Sequence, residues 1–242
     1  MDAVCTQAEL ERELKAELDN RNWGHDFPGN YVRPSGAYFE TTLSRIRHLC
    51  MIQCVGSRSD ERPYCSRVCC TRAVNHAVIL KTLYPHMNIT ILYRDIRTYG
   101  FNELLYQEAR EKGVVFIKYD PENPPAVSPV RLGKQKAVSI EVKNKGYGSS
   151  ATCEDPVLCL TVDRLVLSEA TLPTDDHETL ARLLKLPLSA SGFFMEKHLK
   201  LGPAETQLEG VYVCGQAHYP KTVSESVIHA KAVSAKALAF KY

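Results

Sequence analysis

His48-Leu49-Cys50-Met51-Ile52-Gln53-Cys54-Val55-Gly56 opens the part of the chain whose reading decides the fold. An almost unbroken apolar run stopped by a glycine predicts a strand covered on both faces, as strands of a parallel sheet are. Residues 64–84 follow with apolar side chains at helical spacing (Val68, Ala73, Ala77, Leu80, Leu83) and stop before Pro85. Residues 88–93 (NITILY) predict a second strand, residues 102–112 a second helix closed by Gly113, and residues 114–119 (VVFIKY) a third strand. Strand, helix, strand, helix, strand defines an α/β fold with a Rossmann-type βαβαβ unit: a parallel sheet with right-handed crossovers.

Outward from this unit the texture changes. Residues 6–20 predict a short amphipathic helix, with Leu10, Leu14 and Leu18 on one face. Residues 21–44 read as an irregular loop, in which Trp23, Phe27 and Tyr31 are a packed loop or partner contact rather than a base-stacking platform. Beyond Pro121, residues 138–142 and 157–162 predict an antiparallel hairpin around a Gly/Ser-rich loop at 146–150. Residues 164–167 predict a short buried strand, 179–184 a short helix, 210–214 a last strand and 223–240 a final Ala-rich helix. The division expected is an N-terminal helix and linker over 1–44, a Rossmann-like domain over 45–170 and a C-terminal portion over 171–242.

Composition narrows the function classes. Thirty Lys+Arg against 28 Asp+Glu give a net charge of +2, so no global field calls for nucleic acid or an anionic membrane. No run approaches the ~18 apolar residues of a membrane span. The acidic, helix-patterned N-terminus has no apolar signal-peptide core, and an odd count of nine cysteines argues for a reducing, cytoplasmic setting over a disulfide framework.

Five of the nine cysteines fall between Cys50 and Cys70, where an even spread would put fewer than one. Such clustering is what soft-metal chemistry needs, because thiolates must converge on one centre. Cys65 and Cys69 are four apart and share a helical face, Cys70 adjoins them, and Cys54 comes from the strand across the loop. Four thiolates suit tetrahedral zinc or a [4Fe–4S] cubane. An adjacent Cys-Cys pair sits more easily on the separated corners of a cubane than around one small ion. Helix N-terminal amides and Arg58, Arg62, Arg67 and Arg72 would offset the cluster's charge. Zinc, redox-active thiols and inert core cysteines stay open on spacing alone. Cys159 and Cys214, in predicted strands, read as small buried hydrophobes.

The first strand-turn-helix of a dinucleotide-binding fold carries G-x-G-x-x-G, so that backbone amides approach the pyrophosphate. Here that turn reads Gly56-Ser57-Arg58-Ser59-Asp60-Glu61, with one glycine and two acids. No phosphate cradle is expected, and no NAD or NADP binding at this turn. Asp175-Asp176-His177 reads as an acidic helix cap rather than a metal triad, and no Ser-His-Asp arrangement is legible among the serines and histidines.

Gln53-Cys54-Val-Gly-Ser-Arg58, Tyr64-Cys65-Ser-Arg-Val-Cys69-Cys70 and Tyr93-Arg94-Asp95-Ile96-Arg97-Thr98-Tyr99-Gly100 together resemble the heterodisulfide reductase A-subunit family, the flavin and iron–sulfur subunits of that enzyme. The likeness continues through Ser191-Gly-Phe-Phe-Met-Glu196, Gly210-Val-Tyr-Val-Cys-Gly215 and Ala217-His-Tyr-Pro-Lys221. The resemblance implies a thioredoxin-reductase-like fold, with a [4Fe–4S] cluster on Cys54, Cys65, Cys69 and Cys70 and the second half of an FAD-binding domain over 171–242. It implies FAD contacts from Gly215, Gln216, His218, Lys221 and Ser226, with Gln216 where the family's fold type usually has Asp. It further implies an oxidoreductase subunit that passes electrons between cluster and FAD in a multi-subunit complex, some of whose relatives bifurcate electrons. The family's G-x-G-x-x-G flavin half and its ferredoxin-type cysteine motifs have no counterpart in the chain. A split or shortened relative is therefore expected, its missing FAD half-domain and ferredoxin-type clusters carried by a partner chain. A zinc-stabilised, non-catalytic assembly module is the competing reading. A pyridine-nucleotide:disulfide oxidoreductase using Cys69-Cys70 as dithiol fits less well, lacking both the phosphate turn and a C-x-x-C pair.

Overall fold

The computed structural model describes residues 3–20, 41–133, 135–143 and 157–239. The predicted loops at 21–44 and 146–150 lie largely or wholly outside the described residues, as do Trp23, Phe27, Tyr31 and Cys153. Two compact units emerge. The first comprises Met1–Val55 with Cys69–Glu169, and the second Gly56–Val68 with Ala170–Tyr242.

The first unit runs β1 (Val4–Thr6), α1 (Gln7–Asn20), β2 (His48–Val55), α2 (Cys69–Leu83), β3 (Asn88–Tyr93), α3 (Asn102–Glu111) and β4 (Val115–Lys118). Then follow β5 (Ala126–Leu132), β6 (Gln135–Lys143), β7 (Val157–Val162) and β8 (Arg164–Glu169). Five strands form a parallel sheet in the order β1-β8-β2-β3-β4, and β5-β6-β7 form an antiparallel sheet. The parallel α/β architecture is thus the one expected, with β2, α2, β3, α3 and β4 as its βαβαβ core.

Why β2 is apolar on both sides follows from what covers it. Leu49 and Met51 pack with Leu10 and Leu14 of α1, Ala73, Ala77 and Leu80 of α2, and Ala109 of α3. Their neighbours Cys50 and Ile52 face the other way and pack with Val138, Ile140 and Val142 of β6. Strand alternation divides one apolar run between two cores. The antiparallel sheet therefore does on one face what helices do on the other.

Four elements depart from the sequence reading. The helix expected from residue 64 begins at Cys69, because the chain before it is held in turns: Ser59 and Arg62 exchange backbone hydrogen bonds at 3.1 Å, and the Arg58 N–H reaches Tyr64 O at 3.1 Å. β1 and β5 carried too little pattern to be predicted: one has three residues, and the other is an exposed edge strand containing Pro129. Residues 210–214 do not form a strand. Only Tyr212 bridges, to Glu205, since the short stretch 204–206 is all that pairs with it.

The second unit adds α4 (Asp176–Leu184) and α5 (Val223–Ala239) to the loop 56–68. Asp175 makes no side-chain cap bond. Asp176 and Glu178 lie in the first turn as the helix dipole favours, while His177 is buried, its Nδ1 3.0 Å from Gly192 O and its ring 4.8 Å from that of Phe194. Among the described residues no helix is long and apolar enough to cross a membrane.

His76 of α2 is buried with Nδ1 2.7 Å from Gln7 Oε1, and burial followed by the Arg72 charge lowers its pKa to about 3. A folded-state pKa below the unfolded value means that stability is lost as pH falls. From about 6.5 downward the unfolded chain takes up a proton that the folded chain refuses, at ~1.4 kcal/mol per pH unit. Urea midpoints for wild type and His76→Gln should therefore converge on acidification, the wild type losing about 2 kcal/mol more by pH ~5. Parallel pH profiles would contradict this.

Candidate functional site

In the first unit, β2 pairs in register with β8 as far as Ile52–Leu167 and resumes, shifted, at Val55–Glu169. Cys54 sits inside that shift with φ +64°, a left-handed conformation that a non-glycine residue adopts at a cost of about 1–3 kcal/mol. Arg58 and Arg67 also have positive φ, so among the described residues three of the four such non-glycine positions fall between 54 and 67. Such conformations persist only where the surrounding structure over-determines them.

Beside Cys54, the Gln53 side chain is fully buried, and neither its amide nitrogen nor its amide oxygen has a hydrogen-bond partner. Buried polar atoms without partners are costly and point to a polar group that belongs there. Cys69 and Cys70 begin α2, where the positive end of the helix dipole favours thiolate charge. The Cys70 pKa is lowered to about 7, first by the hydrogen bond from Cys69 and then by the Arg97 N–H and guanidinium, against burial and Asp95. Cys50 is a contrast: burial alone pushes its thiol up to about 12, which suits a core residue.

Cys65 lies in the second unit, where the Arg67 N–H donates to its sulfur at 3.3 Å. The loop around it is pinned from both ends. Tyr64 Oη donates to Thr171 O at 2.9 Å, Ser66 Oγ accepts from Thr171 N at 2.9 Å, and the Tyr64 ring meets Phe193 edge-on at 5.4 Å. Arg67 donates to Pro220 O at 3.3 Å and to Glu225 Oε1 at 2.5 Å, with its guanidinium 5.5 Å from the Tyr219 ring centre. The same second unit therefore brings Cys65 and the loop at 215–225 together through Arg67.

Within that loop, Gly215 has φ +61°, and a Cβ there would lie 3.9 Å from Ser226. Its N–H donates to His229 Nδ1 at 3.3 Å, and Gln216 Nε2 donates to Lys221 O at 3.3 Å. His218 Nε2 is 2.6 Å from Glu196 Oε2, and Lys221 Nζ is 3.1 Å from His218 Nδ1 and 3.3 Å from Gly215 O. Ser226 Oγ donates to Thr222 O at 2.9 Å in the first turn of α5. Burial, then the Arg67 charge, lowers the Lys221 pKa to about 8. Gly215, Gln216, His218, Lys221 and Ser226 thus share one neighbourhood, and Glu196 joins them although its sequence context assigned it no role.

Two other placements differ from expectation. Cys159 is exposed on β7, whose first residues face outward, and Cys214 is half-buried rather than a strand-core residue. Among the described residues, no group of three or more His, Cys, Asp and Glu side chains stands in metal-holding array.

The chain is 35% identical over 197 residues to the A subunit of the ferredoxin:CoB-CoM heterodisulfide reductase of Methanosarcina acetivorans, covering 80% of this chain and 23% of the relative. It is 32% identical over 244 residues to an iron-sulfur A subunit of the CoB–CoM heterodisulfide reductase of Methanopyrus kandleri, covering 98% and 33%. An Archaeoglobus profundus protein described as like the heterodisulfide reductase A subunit is 36% identical over 207 residues, covering 84% and 27%. These relatives carry the name of a redox-enzyme component, and it is in that class that the chain's sequence falls. The chain belongs to the heterodisulfide reductase A-subunit family, and it spans about a quarter to a third of the length of the curated relatives it matches. No protein-family model matches it. Among solved structures, FprA of Mycobacterium tuberculosis in complex with NADPH superposes with a TM-score of 0.36 at 12% identity, over 82% of this chain and 53% of that one.

Arg67 is expected to anchor the Cys65 loop. Arg67→Ala should lower stability by about 1–3 kcal/mol, as charge-assisted hydrogen bonds are lost, and speed proteolysis within residues 56–68. Arg67→Lys should restore only part, because a single ammonium lacks the fork that reaches both acceptors. An Arg67→Ala chain as stable and as resistant as wild type would contradict the anchoring.

Proposed function

We propose that this chain is an electron-transfer segment of an oxidoreductase subunit, holding a [4Fe–4S] cluster on Cys54, Cys65, Cys69 and Cys70 and contributing FAD contacts from Gly215, Gln216, His218, Lys221 and Ser226. The observation that carries the reading is Arg67. Two residues after Cys65, it bonds Pro220 O and Glu225 and so ties a proposed cluster ligand to the proposed flavin loop within one unit. The donor set fits a cluster chemically. It has thiols at a helix start, a lowered Cys70 pKa, an N–H directed at Cys65 sulfur and an unpartnered buried amide at Gln53. What joins Cys65 to the other three is the chain itself, eleven residues after Cys54 and four before Cys69.

When bound, the cluster supplies one-electron transfer and the flavin an exchange between one- and two-electron carriers. The protein's own part is to fix geometry and charge. Gly215 leaves its φ +61° turn open, where a side chain would be strained. Lys221 keeps a cation beside the loop, as an electron-accepting ring would need. FAD also needs a pyrophosphate site, and the turn after β2 lacks the glycines for one. The complementary half is therefore proposed to come from another component of a heterodisulfide-reductase-like complex, working in the cytoplasm. Supporting this, α5 buries none of its described side chains, and Val223, Val227 and Ile228 are exposed on it. Electron bifurcation within that complex would be a property of the assembly.

Anaerobically purified chain should contain about four irons and four sulfides, as one cubane requires. Cys69→Ala should bleach it, whereas Cys159→Ala, on an exposed strand position, should leave iron unchanged. Stoichiometric zinc in place of iron would overturn the cluster in favour of a zinc-stabilised assembly module.

Flavin retention is expected to depend on a partner. Desalting after incubation with FAD should leave flavin on the chain only when a protein carrying a G-x-G-x-x-G strand-turn-helix is present. Tight, stoichiometric FAD on the chain alone would contradict the shared site.

A further inference from the structure

Lys221 is only 5% exposed, and each of its three ammonium hydrogens has a partner. They face Gly215 O at 3.3 Å, His218 Nδ1 at 3.1 Å and the Tyr219 ring, whose centre is 3.2 Å away. An ammonium donates only, so His218 Nδ1 must be an acceptor, and the imidazole hydrogen sits on Nε2. From there it donates to Glu196 Oε2 at 2.6 Å. Glu196 is the member of the series with an opening outward, its side chain 17% exposed against 9% for His218. The hydrogen bonds run in one direction, from an enclosed amine through an imidazole to a carboxylate at the surface.

We propose that Glu196, His218 and Lys221 form a proton relay that carries one proton between solvent and the enclosed Lys221 amine. The step conserves atoms and charge. The Lys221 Nζ–H bond breaks as His218 Nδ1–H forms, and Nε2–H breaks as a Glu196 O–H forms. Ammonium and carboxylate become neutral amine and neutral acid, and the acid exchanges its proton with water. The reverse sequence recharges the lysine and returns His218 to its Nε2–H form. The use of such a relay, proton exchange when a cofactor beside the Gly215–Lys221 loop changes its electron count, rests on the flavin reading proposed above.

Burial, aided by Arg67, favours a lysine that can give up its proton. Arg67 from the 56–68 loop opposes the Lys221 charge, while Glu225 of α5, Glu196 and Cys214 support it; burial is the largest influence. His218 is kept neutral first by burial and then by Lys221, against the pull of Glu196. His229 of α5, 5.4 Å from His218, is also biased to its neutral form by burial and by Lys221. Partial burial works against ionised Glu196, yet its own backbone N–H and His218 outweigh that and hold its pKa below the ordinary carboxyl value. Lys221 and Glu196 each bond His218. Here an imidazole, the side chain able to accept at one nitrogen while donating at the other, stands between them.

The test is the rate at which the Lys221 Nζ hydrogens exchange with water in the full chain without added cofactor, read by nitrogen-15 NMR and assigned by their absence in Lys221→Met. Glu196→Gln keeps an oxygen for His218 Nε2–H but cannot take the proton, and His218→Gln keeps an acceptor for Lys221 but cannot pass a proton on. Both should slow exchange by about tenfold or more, and Glu196→Asp should restore part of it. A structural role gives the opposite sign: a loosened pocket admits water and speeds exchange. Rates in Glu196→Gln equal to or faster than wild type would overturn the relay, and that variant decides the matter if His218→Gln fails to fold. Because no flavin takes part, absent FAD binding in the partner-complemented chain would sink the flavin reading without altering these rates.

Discussion

The interruption of β2 at Gln53 and Cys54 is the constraint on which the rest depends. β2 is clamped on both edges by β3 and β8 and on both faces by apolar side chains, so little of the strand can yield. Its last turn nevertheless shifts register and puts Cys54 at φ +64°. Two-sided burial supplies the rigidity that holds such a strained residue in place. Beyond the break, the chain leaves the first unit, contributes residues 56–68 to the second and returns at Cys69. A conventional turn would have joined strand to helix within a few residues. The long excursion puts a cysteine and three arginines where a dinucleotide-binding protein has glycines.

Charge follows the same logic. A phosphate cradle works through bare backbone amides, and this chain instead uses side-chain cations held by named partners. Arg67 is fixed by Pro220 O and Glu225, and Lys221 by Gly215 O and His218. Cations so placed attract negative charge that changes during reaction, the condition created by adding electrons to a cluster or a flavin. This distribution of charge suits the electron-transfer role proposed above.

Much of the first unit was legible in the sequence because its strands are buried on two faces and its helices are punctuated by Pro85 and Gly113. The signal failed where local pattern and tertiary pairing disagree. Helical spacing from residue 64 was real, but hydrogen bonds among Arg58, Ser59, Arg62 and Tyr64 hold that stretch in turns, and α2 starts at Cys69. The apolar word at 210–214 looked like a strand and found almost nothing to pair with. Cys159 shows the limit of composition, since it alternates outward on β7. In the candidate site, motif residues such as Gly215, His218 and Lys221 could be named from the sequence. Glu196 could be quoted within a resembling motif, but its bond to His218 spans 22 residues and has no local pattern. Nor could the sequence tell that Gln53 would be buried without a partner, because that depends on what surrounds it.

The central claim, a cluster held by the cysteines around the β2 break, is tested most directly by electron paramagnetic resonance of the anaerobically purified chain after reduction. A reduced cubane carries an unpaired spin that zinc and free thiols cannot produce. The expected result is a low-temperature iron–sulfur spectrum integrating to about one spin per chain, lost or altered when Cys54 is replaced by serine. A spectrum without spin from iron-containing, fully reduced protein, or one indifferent to Cys54, would contradict it.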